Sequence, residues 1–350
     1  MNTVTPDRPM LSVVIPTLGR STLVETLESL VNTQSASALE IIVAGTIPDP
    51  IVAAAIAHMQ ALHPWIQHMQ ISFPRGDSSE KKNAGWRAAR AEVVAFLDDD
   101  VIISPDWPQR VLAPFSNPKV GLVSGPSLVP DELPLMARLA GVTLASKASG
   151  YVAARYSAEG AAPFVAKWSS LIGCNMAFRK SLLVELGGFD VAFWPGEEML
   201  AAFRVTQAGH DLVFAPGAAL KHFPRASFGG FLRQMFGYGA TRIRLMRAGV
   251  ECEWTTLIPA VWVASLIMLV PVAPFIQLAW WLLLANLGMY LFVALVVMLI
   301  KLRETGCARD ALMFFLIPCM HIAYGIAEWV EFFLPNADLG FKKKEDLCKP

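Results

Sequence analysis

The sequence predicts an α/β domain, in which helices flank a mostly parallel sheet, followed by a C-terminal membrane region. Short apolar runs such as 11–15 and 93–97 have the length of buried parallel strands, and they alternate with helical segments. Near the C-terminus, 257–275 and 278–300 are each long enough to span a bilayer. We therefore expect an α/β domain over 1–228, a basic amphipathic segment over 229–254, a membrane region over 255–335 with two or three spans, and a basic tail over 336–350.

The composition is intermediate between those of soluble and integral membrane proteins. The chain has 350 residues, of which 54% are hydrophobic, and a mean hydropathy of +0.46. Its formal net charge is zero, which argues against a nucleic acid partner. The five cysteines are scattered without a C-x-x-C pair, so no disulfide framework or zinc site is indicated. The polar first ten residues do not resemble a signal peptide, and we expect a cytoplasmic α/β domain.

The first strand, 11–15, opens a β-α-β unit. Thr22 and Glu25 form a capping box for the next helix, and 40–44 is the second strand. This order predicts a parallel sheet, while the missing G-x-G-x-x-G argues against a dinucleotide fold of the dehydrogenase type. Further predictions are helices over 51–62, 77–90, 107–115 and 199–207, strands over 67–73, 120–124 and 212–215, and an insert or mobile loop over 126–163 with a helix near 135–144.

Three consecutive aspartates, Asp98, Asp99 and Asp100, follow the apolar run 93–97. They are expected at the carboxyl end of a strand, where open α/β sheets bind ligands. Because neighbouring carboxylates repel one another, a cation is expected beside them. Oxygen ligands suit a divalent metal, Mg²⁺ or Mn²⁺, that carries a phosphorylated ligand. The alternative is a solvated loop that caps the following helix.

Four cations, Lys81, Lys82, Arg87 and Arg90, precede the aspartates on a predicted helix. They form either a solvated basic face or a contact with a diphosphate group, and the sequence favours neither.

Further along the chain, Glu197 and Glu198 begin a predicted helix, where the helix dipole favours acids in any case. The functional alternative is a general base at the mouth of the sheet. His222 follows the predicted strand 212–215, and is either an ordinary histidine or a ligand of metal or phosphate.

The basic segment before the membrane region interleaves arginines with aromatic residues, which favours the anionic membrane surface or a phosphorylated lipid. Basic residues flank the first two spans on the same side, so these spans form a hairpin with cytoplasmic ends. The apolar stretch 313–334 contains a histidine, two glutamates and a proline. We expect a third span there, with an interfacial or re-entrant element as the alternative. The arginines of the basic segment 229–254 are Arg233, Arg242, Arg244 and Arg247.

Taken together, several motifs resemble family 2 glycosyltransferases. They are VVIPTLGR, KNAGWRAARAEVVAFLDDD, GCNMAFRKSLLVELGGFD, GEEMLAAFRVTQAGH and the late histidine, in that family's order across about residues 11–245. The basic segment and the spans are similar to membrane-anchored members that build exopolysaccharides on a lipid carrier, of the succinoglycan glucosyltransferase type. The resemblance implies a Rossmann-like GT-A fold, a nucleotide-diphospho-sugar donor and inversion at the anomeric carbon.

The resemblance also implies roles for individual residues, carried over by position. Pro16, Thr17 and Arg20 would line the nucleotide pocket, Asn83 would approach the diphosphate, and Asp98 and Asp99 would lie on the nucleoside side. Asp98, Asp100 and His222 would hold the metal, and Glu197 and Glu198 match the catalytic acidic pair, in which Glu198 is the expected base.

The chain departs from the family pattern in two places. After the second strand, Ala44 and Gly45 stand where members often carry an aspartate that contacts the nucleobase, and Asp49 is too far displaced to replace it. The Q-x-x-R-W motif of polymerising synthases is replaced by RQMFGYGATR, which favours a single-addition transferase.

The resemblance therefore implies an inverting, metal-dependent transferase in the plasma (inner) membrane, with multiple spans and a cytoplasmic catalytic domain. Its acceptor would be a lipid-linked saccharide in cell-surface polysaccharide synthesis. Alternatives are a polyprenyl-phosphate glycosyltransferase and a non-catalytic membrane scaffold with a degenerate sugar-nucleotide fold.

Overall fold

The computed structural model describes residues 8–73, 78–157, 160, 162–193, 195–251 and 253–335. These residues form two compact units. The α/β unit comprises 8–128 and the described residues of 154–223, and the helical unit comprises 129–153 and the described residues of 224–335. The expected basic tail, 336–350, and the predicted helix start at Asp77 lie outside the described residues.

The chain forms strands and helices that alternate through the α/β unit, and helices alone after it. The strands are β1 (Leu11–Thr17), β2 (Leu39–Gly45), β3 (Ile66–Met69), β4 (Val93–Leu97), β5 (Val101–Ile103), β6 (Val120–Ser124), β7 (Ser127–Leu128), β8 (Phe164–Val165), β9 (Asn175–Arg179), β10 (Asp211–Phe214) and β11 (Leu220–His222). The helices are α1 (Thr22–Val31), α2 (Pro50–Leu62), α3 (Ser78–Ala88), α4 (Trp107–Leu112), α5 (Leu135–Leu144), α6 (Lys180–Leu186), α7 (Glu197–Gln207), α8 (Phe228–Arg247), α9 (Ile258–Val272), α10 (Gln277–Thr305) and α11 (Met313–Phe333).

The larger sheet has eight described strands in the order β3-β2-β1-β4-β9-β6-β10-β8. Six of them run in one direction, while β9 runs against β4 and β6, and β8 runs against β10. The prediction of a mostly parallel sheet is confirmed. Buried β1, β2 and β4 supply much of its core, because their apolar side chains are covered on both faces.

A smaller sheet of three described strands, in the order β5-β11-β7, lies beyond the end of β4. Strand β11 is antiparallel to β5, and their register sets His222 opposite Val101. The backbone N–H of Phe223 donates to the carbonyl of Asp100, 3.3 Å away. The pairing of β11 with β5 therefore places His222, which comes late in the sequence, beside Asp100.

The helical unit contains α5 and α8 to α11. Segment 126–163 was expected to be an insert or mobile loop. Its helix α5 belongs to the helical unit, and seven of the ten residues of α5 are buried. Among the described residues, three stretches are long and apolar enough to cross a membrane: Trp254–Val272, Gln277–Thr305 and Ala308–Phe333. The third of these includes α11, and its Pro318 lies inside the helix without ending it.

Three arginines of α8 contact α11; Arg242 and Arg244 are largely buried, whereas the Arg247 side chain is 40% exposed. The membrane-surface position expected for this segment stays a prediction. The Arg242 guanidinium donates to the Tyr324 hydroxyl at 3.1 Å, and Arg244 donates to the Glu331 carboxylate at 2.8 Å. Arg247 donates to the backbone carbonyl of Glu331 at 2.9 Å. Arg244 and Arg247 thereby offset the charge of the buried Glu331 carboxylate.

Candidate active site

Asp99 is held by hydrogen bonds from residues 17, 18 and 20 of the protein. Its carboxylate accepts the Thr17 hydroxyl at 2.7 Å and the Leu18 backbone N–H at 3.4 Å. The Arg20 guanidinium donates to Asp99 at 3.2 Å and to Asp100 at 2.8 Å. Thr17 and Arg20 therefore hold the turn that follows β4, and Asp99 serves to anchor it.

Asp98, Asp100 and His222 come together beside this anchor. The His222 Nε2 atom lies 3.2 Å from an Asp100 carboxylate oxygen and 4.0 Å from an Asp98 oxygen. Burial and the neighbouring Asp100 carboxylate raise the pKa of Asp98 to about 6, although His222 and Lys82 oppose the shift. Three adjacent carboxylates thus lie beside one imidazole and the Arg20 guanidinium.

Cys174, which the sequence motifs did not single out as a ligand, joins this group. Antiparallel pairing sets Asn175 opposite Leu97, so Cys174 lies across from Asp98. One ligand atom each from Asp98, Cys174 and His222 lie within 4.8 Å of one another. The thiol is buried, and desolvation raises its pKa well above the usual value. No local sequence pattern marks this residue, because its position depends on the direction of β9.

The donor atoms at this place fit a divalent cation. Carboxylate oxygen and imidazole nitrogen bind Mn²⁺ and related ions at bond lengths of about 2.0–2.6 Å, which a cluster of this size accommodates. The repulsion that raises the pKa of Asp98 would be relieved by such a cation.

A second buried charged group consists of Glu197, Glu198 and Lys82. The Lys82 ammonium lies 3.2 Å from Glu197 and forms a short hydrogen bond to Glu198. Burial and the Glu198 charge raise the pKa of Glu197 to about 7. Burial also acts to raise the pKa of Glu198, but Lys82 outweighs it and lowers that pKa below its usual value. At neutral pH Glu198 is therefore ionised, while Glu197 retains its proton in part.

Gly173 lies against the Glu198 side chain. A Cβ atom at this position would lie 2.8 Å from both Cδ and Oε1 of Glu198, closer than side chains approach in folded proteins. The absence of a side chain at residue 173 therefore leaves room for the carboxylate. Sequence reasoning also missed this residue.

The packing of β2 against β1 gives a physical reason for the glycine where an acid was expected. Gly45 has φ +150°, and a Cβ there would collide with the Thr17 carbonyl of the neighbouring strand. Pro16 pairs with Ala44 in the same register. The Gly45 carbonyl faces His68, whose Nε2 lies 2.8 Å away. Asp49 is occupied elsewhere, because it caps α2 by accepting the Ile51 N–H at 2.8 Å.

The Asn83 side chain, expected near the diphosphate, is hydrogen-bonded within the protein. Its amide donates to the Phe189 carbonyl at 2.7 Å and accepts the Phe189 N–H at 2.9 Å. The Asn83 side-chain oxygen also accepts the Trp86 indole N–H at 2.9 Å. The buried amide ties α3 to the loop at residue 189, and this structural role accounts for its position.

The cations of α3 also contact the protein itself. Lys81 donates to the Thr17 carbonyl at 2.8 Å, and Arg90, just after the helix, binds Glu40 at 2.6 Å. Lys81 and Lys82 are buried, Lys82 against the glutamates, whereas Arg87 and Arg90 are exposed.

Parts of the sequence and the fold resemble known proteins. The chain is 30% identical over 162 residues to the pre-mycofactocin glycosyltransferase of Mycobacterium tuberculosis, covering 46% of this chain and 33% of that protein. It is 27% identical over 246 residues to the succinoglycan biosynthesis protein ExoM of Rhizobium meliloti, covering 67% of this chain and 75% of that protein. The chain thus spans about a third of the mycobacterial relative's length.

A solved structure shares the fold. The mannosyltransferase PcManGT from Pyrobaculum calidifontis, in complex with GDP-Man and Mn²⁺, aligns with a TM-score of 0.58 and 19% sequence identity. The alignment covers 95% of this chain and 89% of that one, which confirms the predicted glycosyltransferase fold. The model of glycosyl transferase family 21 matches residues 2–332. The sequence motifs indicated glycosyltransferases of family 2, and the match over nearly the whole chain shows that it belongs to glycosyl transferase family 21.

Proposed function

We propose that this protein transfers a sugar from a nucleotide-diphospho-sugar to a lipid-linked saccharide, with inversion at the anomeric carbon, in cell-surface polysaccharide synthesis. The observation that carries this proposal is the pairing of two acidic groups in one α/β unit. Asp98 and Asp100 with His222 form one group, and Glu197 and Glu198 with Lys82 form the other. Asp98 and Lys82 influence each other's pKa, so the two groups are electrostatic neighbours.

Asp98, Asp100 and His222 would hold a divalent metal, Mg²⁺ or Mn²⁺. When bound, such an ion would stabilise the negative charge that develops on the departing nucleoside diphosphate. Asp99 keeps this turn in place through Thr17 and Arg20. Supporting this assignment, the related fold of the Pyrobaculum enzyme was solved with Mn²⁺.

Glu198 would act as the general base that removes the proton from the acceptor hydroxyl. Its low pKa keeps it ionised at neutral pH, and its side chain is 19% exposed, whereas that of Glu197 is 2% exposed. Lys82 holds the carboxylate in place, and Glu197 supports Lys82 from the buried side. A base must reach its proton, which favours the more exposed glutamate.

The membrane helices support an acceptor that resides in a lipid bilayer. Three candidate spans follow the α/β unit, and a glycolipid acceptor would explain why a sugar transferase carries them. We propose a multi-pass protein of the plasma (inner) membrane whose α/β unit is cytoplasmic. The succinoglycan relative supports a role in making an extracellular polysaccharide.

The experiment that tests this function is a panel of radiolabelled sugar nucleotides added to native membranes, followed by lipid extraction of the product. We expect one donor to label a lipid-extractable saccharide when Mn²⁺ or Mg²⁺ is present. Asp100→Ala and Glu198→Gln should each abolish the labelling, and retention of transfer by both variants would refute the mechanism. Label on a polyprenyl phosphate would indicate the alternative acceptor, and absence of metal-dependent sugar-nucleotide binding would indicate a scaffold.

A further inference from the structure

Cys174 lies at the metal-binding end of the site, although the proposed reaction assigns it no role. It is 4% exposed, and it directly precedes β9. Because β9 runs antiparallel to β4 with Asn175 opposite Leu97, residue 174 lies opposite residue 98. The thiol therefore lies beside the first carboxylate of the aspartate group.

The backbone around Cys174 is held in place by Asn175. The Asn175 amide donates to the Ala218 carbonyl at 2.8 Å and to the Pro126 carbonyl at 3.3 Å. Its oxygen accepts the Trp107 indole N–H at 3.1 Å. These contacts fix the start of β9 against the chain that leads to β7 and β11. The position of the thiol is accordingly set before any ligand arrives, as a metal site requires.

The ligand atoms of Asp98, Cys174 and His222 lie within 4.8 Å of one another. Ligands of one ion, bound at about 2.3 Å from sulfur and about 2.0–2.2 Å from nitrogen and oxygen, lie no more than about 4.5 Å apart. The His222 Nε2 atom and the Asp98 oxygen, 4.0 Å apart, meet this limit, and a small side-chain movement brings the thiol to the same ion. We propose that Cys174 is a ligand of the metal centre, which is then a mixed sulfur, nitrogen and oxygen site. This inference rests on the metal dependence in the proposed function.

A thiolate ligand changes which metal the site prefers. Mg²⁺ binds oxygen ligands, whereas Mn²⁺, Co²⁺ and Zn²⁺ accept sulfur and nitrogen increasingly well. The thiol releases its proton when the metal–sulfur bond forms, and that proton passes to solvent or buffer. The site should thus favour Mn²⁺ and Co²⁺ over Mg²⁺ to a greater degree than aspartates alone would.

The test is Co²⁺ added alone to the purified full chain in detergent, with the ultraviolet absorption recorded. A cobalt–thiolate bond gives a charge-transfer band that oxygen and nitrogen ligands do not give. We expect the band in the unchanged protein and its loss in Cys174→Ser. The matched control is Cys319→Ser, which removes a thiol from α11 in the helical unit and should leave the band intact.

A reciprocal variant keeps the proposal testable if Cys174→Ser does not fold. The other four cysteines are replaced by serine, and the band must persist with Cys174 alone. In calorimetry, Cys174→Ser should weaken Co²⁺ binding about 10-fold or more and Mg²⁺ binding much less.

Two outcomes would overturn the inference: Co²⁺ that binds without the band, and Co²⁺ that does not bind. Neither outcome decides the proposed function, because sugar transfer in the presence of Mg²⁺ is measured separately.

Discussion

The α/β unit and the helical unit both bury carboxylates, but they neutralise them differently. Against Asp98, Asp99 and Asp100, the described side chains in contact supply one guanidinium and one imidazole. In the helical unit, Asp310 binds the Arg138 guanidinium through two hydrogen bonds of 2.6 and 2.8 Å.

Glu331 of the helical unit contacts two arginines, Arg244 at 2.8 Å and Arg247 at 3.6 Å. Basic groups equal or outnumber the acids in these two contacts, whereas the ion pairs described after β4 join three acids to Arg20 and His222. A buried charge that is matched within the protein contributes to the fold. Neighbouring carboxylates without enough basic partners repel one another, and a bound cation would relieve that repulsion. Such a cluster therefore indicates a ligand-binding site.

Asp100→Asn tests the cluster of negative charge formed by Asp98, Asp99 and Asp100. We expect the transfer rate to fall about 1,000-fold, equivalent to about 4 kcal/mol, because the metal and the departing diphosphate lose a ligand. The thermal unfolding temperature should stay the same or rise, since repulsion with Asp98 is relieved. Transfer assays and melting curves measure the two effects.

The matched control for Asp100→Asn is Asp106→Asn, which removes an acid that binds Arg110 at the protein surface. It should leave transfer nearly unchanged. A fully active Asp100→Asn protein, or equal losses in both variants, would refute the assignment of Asp100.

Glu331→Gln tests how much the buried ion pairs of Glu331 with Arg244 and Arg247 contribute to stability. Because it leaves Arg244 and Arg247 without the carboxylate, we expect the free energy of unfolding to fall by about 3 kcal/mol. Glu304→Gln is the control, since Glu304 forms an exposed pair with Lys301 and its loss should cost under about 1 kcal/mol. Thermal unfolding in detergent compares them, and equal effects would contradict the distinction between matched and surface charge.

Gly173→Ala tests the position of the proposed base. The added methyl group would displace the Glu198 carboxylate, so kcat should fall about 10- to 100-fold while the KM for the donor changes little. Gly229→Ala is the control, because nothing lies within 4 Å of a Cβ at that residue. A raised donor KM with an unchanged kcat would instead assign Gly173 to donor binding.

Glu197 makes the stability of the α/β unit depend on pH. Its pKa rises from 4.5 to about 7 on folding, so the folded chain retains a proton that the unfolded chain releases. The free energy of unfolding should therefore fall as pH rises from about 4.5 to about 7. Asp98 acts with the same sign up to about pH 6.

Glu197→Gln should flatten this pH profile without removing the part that Asp98 contributes. Melting temperatures across the pH range, recorded with a chelator so that metal binding does not intervene, provide the measurement. An unchanged slope would show that Glu197 does not hold a proton at neutral pH.

Local sequence was sufficient for much of the fold. The apolar run of β4 and the aspartates after it are contiguous, so both the strand and the acidic edge follow from one short stretch. The apolar composition of 135–144 likewise predicted α5 with its bounds. The division of the chain was less predictable, because whether α5 belongs to the sheet or to the membrane helices depends on what it packs against.

The partners of each charged group required the tertiary structure. Lys82 has the same sequence environment whether it faces solvent, a diphosphate or a glutamate, and only the packing of α3 and α7 brings it to Glu198. Asn83, similarly, was assigned to the diphosphate by position, yet its amide holds the backbone at Phe189. Hydrogen-bond partners are set by three-dimensional proximity, which spacing along the chain does not encode.

By itself, the sequence determined the α/β class of the first unit, the apolar helices of the second and the acids at the end of β4. These features follow from periodicity and contiguity, which are properties of short segments. The tertiary structure alone decided that β9 runs antiparallel and so brings Cys174 to Asp98, and that β11 returns His222 to Asp100. Strand direction and register depend on contacts between distant segments, so these two residues meet the aspartates only in the folded chain.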